Sequence, residues 1–324
     1  MNRTFVAAAL VFAGSSFILY GCASSSTMHQ PNTATPQVRQ QVRYSAVGAS
    51  DAVGVGAIQC ATAGVPPMPQ PPSCPAGNGY VPDLAQLLSD PNTKVHLFDF
   101  GISGAVIGPD IQTDTLACFG APGNFITNEL PQFNAANNLV TIFAGGNDTN
   151  AITACAIGIA LAGGNPTPFI TAEIGKFGAD YAALVQGIKN TSKPGVTIVV
   201  ANLPNFALIP AGLALPPSVQ ALVGGISVTL DQAIINPSAG TTVSAVVDLL
   251  CNPSSYAPSN FSPDGFHPNA AGYTQLAADY HTQILAVQAG SPTPPAASCP
   301  PFTALAAHRA ITSADAASAH LWRY

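Results

Sequence analysis

Apolar residues along this chain fall into two kinds of run that alternate. Five short runs have the length and the β-branched and aromatic content of strands: 42–47, 95–100, 139–144, 196–201 and 243–249. Other segments carry apolar residues three and four positions apart, as amphipathic helices do: 80–88, 152–161, 170–189, 218–235 and 270–287. Strands that alternate with helices are typical of a parallel sheet covered on both faces. The pattern predicts an α/β fold, a three-layer α/β/α sandwich around a central, mostly parallel, five-stranded sheet.

The N-terminus has the pattern of an export signal rather than of the fold. In residues 1–21, Arg3 precedes an apolar run that is too short and too interrupted by Gly14 for a membrane span. The run ends in Leu-Tyr-Gly-Cys22, which is similar to the lipobox of bacterial lipoproteins and would make Cys22 the lipidated N-terminus. The alternative is an ordinary secretory signal cleaved near Ala23. Both interpretations predict export, either to the cell envelope, lipid-anchored in the outer membrane or periplasm, or to the extracellular medium.

The remaining chain divides by composition. Residues 22–40 are rich in Ser, Thr, Gln and Pro without an apolar period, which predicts a tether. Residues 41–289 carry all the predicted strands and helices and form one domain, and residues 290–324 are a Pro/Ala-rich C-terminal tail. Pro/Gly-rich segments inside the domain are predicted to be long loops: 61–79, 105–122 and 203–217.

Six cysteines remain once Cys22 is set aside, and an even number in an exported protein predicts disulfides. Fifteen connectivities are possible, and proximity along the chain favours Cys60–Cys74, Cys118–Cys155 and Cys251–Cys299. Neither close cysteine pairs nor a His-Glu-x-x-His motif occurs, so we expect no metal and no cofactor. The net charge of −6 comes without any cluster of Lys and Arg, which argues against a nucleic-acid partner.

Residues with catalytic chemistry follow the predicted strands. Near the C-terminus, Asp264 lies three residues before His267 in a Pro/Gly-rich loop, a spacing that suits a catalytic base and the carboxylate that orients it. Loops with Ser50, Gly104 and Asn147 follow the first, second and third strands. Each of these loops alone reads as an ordinary turn. Because ligands in open α/β sheets bind outside the carboxyl ends of the strands, we expect the four loops to converge.

The order of these loops resembles the SGNH (GDSL) hydrolase family, named for a Ser, a Gly, an Asn and a His in four blocks. The resemblance covers roughly residues 42–287 and implies a flavodoxin-like sheet. It makes Ser50 the nucleophile, Asp264 and His267 the rest of the triad, and the Ser50 and Gly104 N–H groups with the Asn147 amide the oxyanion donors. The chain departs from the family at Ala49 and Asp99, where Asp and Asn are usual.

The chemistry is consistent with these roles. A serine hydroxyl is a weak nucleophile that needs a base such as His267 to accept its proton, and Asp264 would hold and stabilise the imidazolium. A competing nucleophile is Ser103, in a near match to the Gly-x-Ser-x-Gly elbow whose last position is Ala105. That mismatch favours Ser50.

The sequence therefore predicts an exported serine esterase or lipase that cleaves carboxylic esters through an acyl-enzyme. Two alternatives stay open: an acyltransferase with the same triad, and a non-catalytic surface lipoprotein that uses the fold as a binding module. The expected partner is a small or lipid-like ester, with membrane contact only through the lipid anchor, and the protein is expected to be a monomer. Apolar residues in 105–121 and 208–217 favour apolar acyl or aryl esters.

Overall fold

A parallel sheet forms the centre of the protein. The computed structural model describes residues 40–57 and 79–300, and within them one sheet has five strands in the order β2-β1-β3-β4-β5. The strands are β1 Gln40–Gly48, β2 Thr93–Asp99, β3 Leu139–Phe143, β4 Thr197–Ala201 and β5 Ala245–Val247. Every neighbouring pair is parallel. The predicted α/β fold is confirmed.

Helices cover both faces of the sheet. In the described residues they are α1 Tyr80–Leu87, α2 Pro109–Asp114, α3 Gly146–Leu161, α4 Thr167–Thr191, α5 Pro210–Leu213, α6 Pro217–Leu230 and α7 Ala270–Gln288. Two π-helical turns lie at Phe125–Glu129 and, directly after α6, at Asp231–Ile235. Single 3₁₀ turns lie at Leu130–Gln132, Asn236–Ser238, Pro253–Tyr256 and Pro258–Asn260.

The differences from the sequence prediction include one helix start and two short helices. Helix α3 begins at Gly146, six residues before the predicted start, because its first turn is polar and so carries no apolar period. Helices α2 and α5 lie inside 105–122 and 203–217, which were predicted as loops. Both are one or two turns long and begin with a proline at the first helical position, where its missing N–H costs nothing.

Alternation along the strands produces two separate cores. Ile198 and Val200 of β4 pack against the face covered by α3, α4 and α6, whereas Val199 and Ala201 point to the face covered by α1 and α7. On the second face, Tyr80 and Tyr280 stack with their ring centroids 5.1 Å apart. Both layers are therefore buried against the sheet, as the three-layer prediction requires.

One apolar helical segment is explained by this packing. Residues Pro217–Ser238 are the only helix among residues 40–57 and 79–300 that is long and apolar enough to cross a membrane. Of its most apolar window, 67% is buried inside the protein. Its apolar composition is that of a core helix.

Among residues 40–57 and 79–300, two disulfides tie surface segments to the domain. Cys118 after α2 is bonded to Cys155 in α3, with Cα atoms 5.3 Å apart, and Cys251 is bonded to Cys299, with Cα atoms 5.6 Å apart. Cys299 lies at the start of the predicted tail, where the Ala296 N–H also donates to Asp248 Oδ2 at 2.8 Å. The predictions for residues 1–21, Cys22, Cys60, Cys74 and 301–324 lie outside the described residues.

Fully buried carboxyl groups anchor the chain at the carboxyl edge of the sheet. Glu129 accepts the Gly48 N–H at 3.1 Å, Asp148 accepts the Ile107 N–H at 2.9 Å, and Asp231 accepts the Leu203 N–H at 2.9 Å. Burial raises the pKa of all three carboxyls, that of Asp148 to about 7. Burial therefore favours the neutral form of each carboxyl, which costs less to bury than a charge.

A raised pKa makes stability depend on pH in a defined direction. An Asp in the unfolded chain ionises near pH 4, whereas buried Asp148 keeps its proton up to about pH 7. Between these values the folded state binds more protons, so the free energy of unfolding falls as pH rises. We expect Asp148→Asn to flatten this decline by up to roughly 1.4 kcal/mol per pH unit. Urea unfolding at intervals between pH 4 and pH 8 measures it, and identical slopes in the two proteins would contradict the assignment.

Candidate active site

The strand order brings the predicted catalytic loops to one place. The chain continues from β1 to β2 on one side and then crosses to β3 on the other, so β1 lies between them. Gly48 at the end of β1 pairs with Phe143 at the end of β3. The loops that follow these two residues carry Ser50 and Asn147, and they start side by side at the point where ligands bind in such sheets.

Ser50 lies in a tight turn that packs against the loop of His267. The turn is closed by hydrogen bonds from Ala52 N–H to Ala49 C=O and from Val55 N–H to Ser50 C=O, and only 2% of Ser50 is exposed. At Gly56, a Cβ atom would lie 2.9 Å from His267 Cβ and 2.6 Å from the Pro268 carbonyl oxygen. Glycine at this position is therefore what lets the Ser50 turn lie directly against the histidine loop.

Asp264 holds His267 from two directions. Its Oδ2 lies 2.6 Å from His267 Nδ1, and its Oδ1 accepts the backbone N–H groups of Phe266 and His267 and the hydroxyl of Ser262. Burial raises the pKa of Asp264, but these hydrogen bonds outweigh it and hold the pKa well below its usual range. An ionised carboxylate at Nδ1 assigns the ring proton to that nitrogen, which leaves Nε2 as the proton acceptor.

Ala105 connects the loop of Gly104 to the side chain of Asn147. Gly104 has φ +79°, a left-handed conformation that glycine adopts without strain. The next residue, Ala105, accepts a hydrogen bond from Asn147 Nδ2 at 2.8 Å through its carbonyl oxygen. This bond uses one of the two amide hydrogens and fixes the amide, so the second hydrogen can serve a ligand.

A largely apolar cavity opens at this edge of the sheet. Its volume is about 850 Å³ when the open solvent at its mouth is counted, and Ser50, Ala105 and Asn147 all lie in its wall. Aromatic and aliphatic side chains form most of the rest: Phe125, Phe143, Leu203, Phe206, Leu249, Phe261, Phe266 and Leu276. Polar residues line another part of the wall: Asp51, Ser254, Ser255, Asn260, Gln275 and Asp279.

Of the residues predicted from the sequence, Ser50 and Asn147 lie in the cavity wall, whereas most of the wall was not predicted. The aromatic residues come from separate loops and strand ends, so they share no period that could have identified them. Of the two apolar loops expected to line the site, 105–121 contributes Ala105, and no residue of 208–217 is part of the described wall. Ser262, two residues before Asp264, was also missed, and only a hydroxyl at that spacing could have indicated it.

The other candidates take structural positions. Ser103 is half-buried in a turn outside the cavity wall, and α2 begins only at Pro109, so Ser103 is not on a strand-to-helix elbow. Asp148 ties α3 to the loop after β2, because its Oδ1 accepts the Ile107 N–H. Asp51 accepts a hydrogen bond from Tyr273 Oη at 3.4 Å. In residues 40–57 and 79–300, no group of three or more His, Cys, Asp and Glu side chains is placed to hold a metal ion.

Comparison with solved structures finds similar chains at low identity. A lipase from a goat rumen metagenome is 18% identical, with a TM-score of 0.48 over 76% of this chain and 97% of that one. An extracellular lipase from Streptomyces rimosus is 18% identical, with a TM-score of 0.47 over 77% and 99%. An acetylxylan esterase from Geobacillus stearothermophilus is 18% identical, with a TM-score of 0.43 over 76% and 96%. No curated protein matches the chain in a sequence search.

The family comparison is more decisive. The model of the GDSL-like lipase/acylhydrolase family matches residues 60–275, about two thirds of the chain. The matched segment contains Gly104, Asn147, Asp264 and His267, and it begins ten residues after Ser50. The place of Ser50 therefore rests on the geometry at the end of β1. With two thirds of its length matched, the chain belongs to the GDSL-like lipase/acylhydrolase family.

Proposed function

We propose that this protein is an exported serine hydrolase that cleaves carboxylic esters through an acyl-enzyme on Ser50. Ester hydrolysis is the general activity of the family. The observation that carries the proposal is the packing of the Ser50 turn against the Asp264–His267 pair, at a cavity whose wall contains Ser50 and Asn147. This arrangement supplies a hydroxyl, a base with an oriented ring, and an amide donor in one place.

Acylation would proceed in two proton transfers. As Ser50 Oγ bonds to the ester carbonyl carbon, its proton passes to His267 Nε2 and the carbonyl π bond breaks to give an oxyanion. When the oxyanion collapses, the carbon–oxygen bond to the alcohol breaks and His267 returns the proton to the departing oxygen. Water then repeats the sequence on the acyl-enzyme and releases the acid.

The charge that appears during each step is met by fixed donors. The oxyanion would be bound by the Ser50 and Gly104 backbone N–H groups and by the second amide hydrogen of Asn147. Because Asn147 Nδ2 is already held by the Ala105 carbonyl, the amide needs little reorganisation when the oxyanion forms. Ionised Asp264 stabilises the imidazolium through the 2.6 Å contact with Nδ1.

The cavity wall supports an apolar acyl or aryl group in the substrate. The described wall has no Lys or Arg that could pair with a negatively charged acyl group. Burying each methylene group of an apolar acyl chain contributes about 0.8 kcal/mol. Export is supported by the Cys118–Cys155 and Cys251–Cys299 disulfides, which persist in oxidising compartments, together with the signal-like residues 1–21.

Removing the nucleophile or the base tests the mechanism directly. We expect Ser50→Ala and His267→Ala each to reduce p-nitrophenyl ester hydrolysis to near background. The first variant has no hydroxyl to accept the acyl group, and the second has no base to accept the hydroxyl proton. The matched control is Ser103→Ala, which should keep wild-type kcat because Ser103 is not on a strand-to-helix elbow and is not among the described partners of Asp264 and His267. Full activity of Ser50→Ala, or loss of activity in Ser103→Ala alone, would overturn the assignment.

Removing the amide donor should affect the transition state more than the bound substrate. Asn147→Ala is expected to lower kcat by about 10²–10³, the usual effect of losing one oxyanion donor, with a much smaller change in KM. Steady-state kinetics on one p-nitrophenyl ester measures both constants. A raised KM with unchanged kcat would instead make Asn147 a binding residue.

Chain length tests the apolar cavity. With p-nitrophenyl acetate, butyrate and hexanoate, kcat/KM is expected to rise by up to roughly fourfold for each added methylene, since each contributes about 0.8 kcal/mol when buried. The Ser50→Ala protein gives the rate to subtract for spontaneous hydrolysis. A preference for acetate over both longer esters would contradict an apolar acyl site.

A further inference from the structure

Glu129 is a buried carboxyl group that lies outside every catalytic motif in the sequence. It is the last residue of the π-helical turn Phe125–Glu129 and has no exposed surface. Its Oε2 accepts the backbone N–H of Gly48 at 3.1 Å. Gly48 ends β1 and lies two residues before Ser50, so the glutamate holds the base of the nucleophile turn.

Gly48 also connects Glu129 to the loop that follows β2. The Ile102 N–H donates to the Gly48 carbonyl oxygen at 3.1 Å. Ile102 lies two residues before Gly104. Glu129 therefore holds the residue at which the two backbone segments with the proposed oxyanion donors are joined.

The hydrogen bond from the Gly48 N–H to Glu129 does not require a negative charge on the carboxyl group. Burial raises the pKa of Glu129 well above its usual range, and nearby Asp99 raises it further, while the Gly48 and Ile102 N–H groups lower it only in part. Burial therefore favours the neutral acid, whose carbonyl-type oxygen can accept the Gly48 N–H. A glutamine has the same length and offers the same acceptor.

We propose that Glu129 is a positioning residue that fixes the spacing between the Ser50 turn and the Gly104 loop, so that both backbone N–H groups reach one oxyanion. The inference rests on the proposed function, because it assumes that these two groups bind the oxyanion. The described contact of Glu129 is with the backbone of Gly48, so the side chain would act on the donors of the oxyanion. Its effect would therefore appear in the transition state and not in substrate binding.

The experiment compares Glu129→Ala, Glu129→Gln and Glu129→Asp with a matched control, Glu173→Ala. Glu173 is a glutamate with 1% exposure whose described partner is Lys176 on the same helix, and it has no described contact with a strand-end loop. Each purified protein is assayed for kcat and KM on a p-nitrophenyl ester. Inhibition by an alkyl trifluoromethyl ketone is measured as well, because the nucleophile hydroxyl adds to its carbonyl carbon and leaves an oxyanion in the proposed site.

We expect Glu129→Gln to stay within about threefold of wild-type kcat, because the acceptor is retained. Glu129→Ala and Glu129→Asp, which cannot reach Gly48, are expected to lose about 10–100-fold in kcat, less than the full loss of one oxyanion donor. Their inhibition constants for the trifluoromethyl ketone should rise by a similar factor while KM changes by less than about threefold. Glu173→Ala should keep the wild-type kcat even where it lowers thermal stability.

Wild-type kcat and ketone affinity in folded Glu129→Ala or Glu129→Asp would overturn the inference, as would an equal loss in Glu129→Gln. If Glu129→Ala does not fold, the Asp and Gln variants decide the matter in the same way. Ser50→Ala, assayed in parallel, separates the two proposals. Activity in Ser50→Ala would remove the proposed function itself, whereas an inactive Ser50→Ala beside unaffected Glu129 variants would remove only the role of Glu129.

Discussion

The parallel pairing of β1 with β3 is the constraint on which the candidate site depends. Gly48 and Phe143 pair at the carboxyl ends of these strands, and both following loops must leave the sheet at the same edge. That pairing places the Ser50 turn beside the start of α3, where Asn147 lies. If the two strands were antiparallel, these loops would lie at opposite ends of the sheet. The parallel direction of the strands therefore determines where the site can form.

Close packing of the loops depends on backbone groups being satisfied inside the protein. Loops at the edge of a sheet carry N–H groups that the ladder no longer pairs, and burying them unpaired would cost about 1–3 kcal/mol each. Glu129, Asp148 and Asp231 accept three of these groups, at β1, after β2 and after β4. Because burial raises the pKa of these carboxyls, their neutral forms are favoured and the acceptors cost less to bury than charged groups would. Asp264 is the exception: four hydrogen bonds keep it ionised where the mechanism needs a charge.

The sequence predicted the fold and the contact between Asp264 and His267 for physical reasons. Strands buried on both faces are continuous apolar runs, and the 3.6-residue period of the longer helices is visible at α4 and α7. The Asp264–His267 contact is local, three residues apart, so spacing alone could indicate it. The start of α3 was missed because its first turn is polar, and α2 and α5 because one or two turns cannot display a period.

Features that depend on distant parts of the chain could not be predicted from the sequence. The cavity wall brings Phe125, Phe143, Phe206 and Phe261 together from different loops and strands, and their spacing along the chain carries no common signal. Glu129 lies 81 residues from Gly48, in a turn that no motif marks. Gly56 is likewise an unremarkable glycine in the sequence, and only its 2.9 Å approach to His267 explains why a side chain is excluded.

The proposed function depends most directly on Ser50 being the activated nucleophile. Reaction with a fluorophosphonate, which phosphonylates an activated serine with loss of fluoride, followed by digestion and mass spectrometry of the peptides, identifies the modified residue. We expect a single adduct on the peptide that contains Ser50, with none in His267→Ala. An adduct on the peptide that contains Ser103, or no adduct on folded wild-type protein, would contradict it.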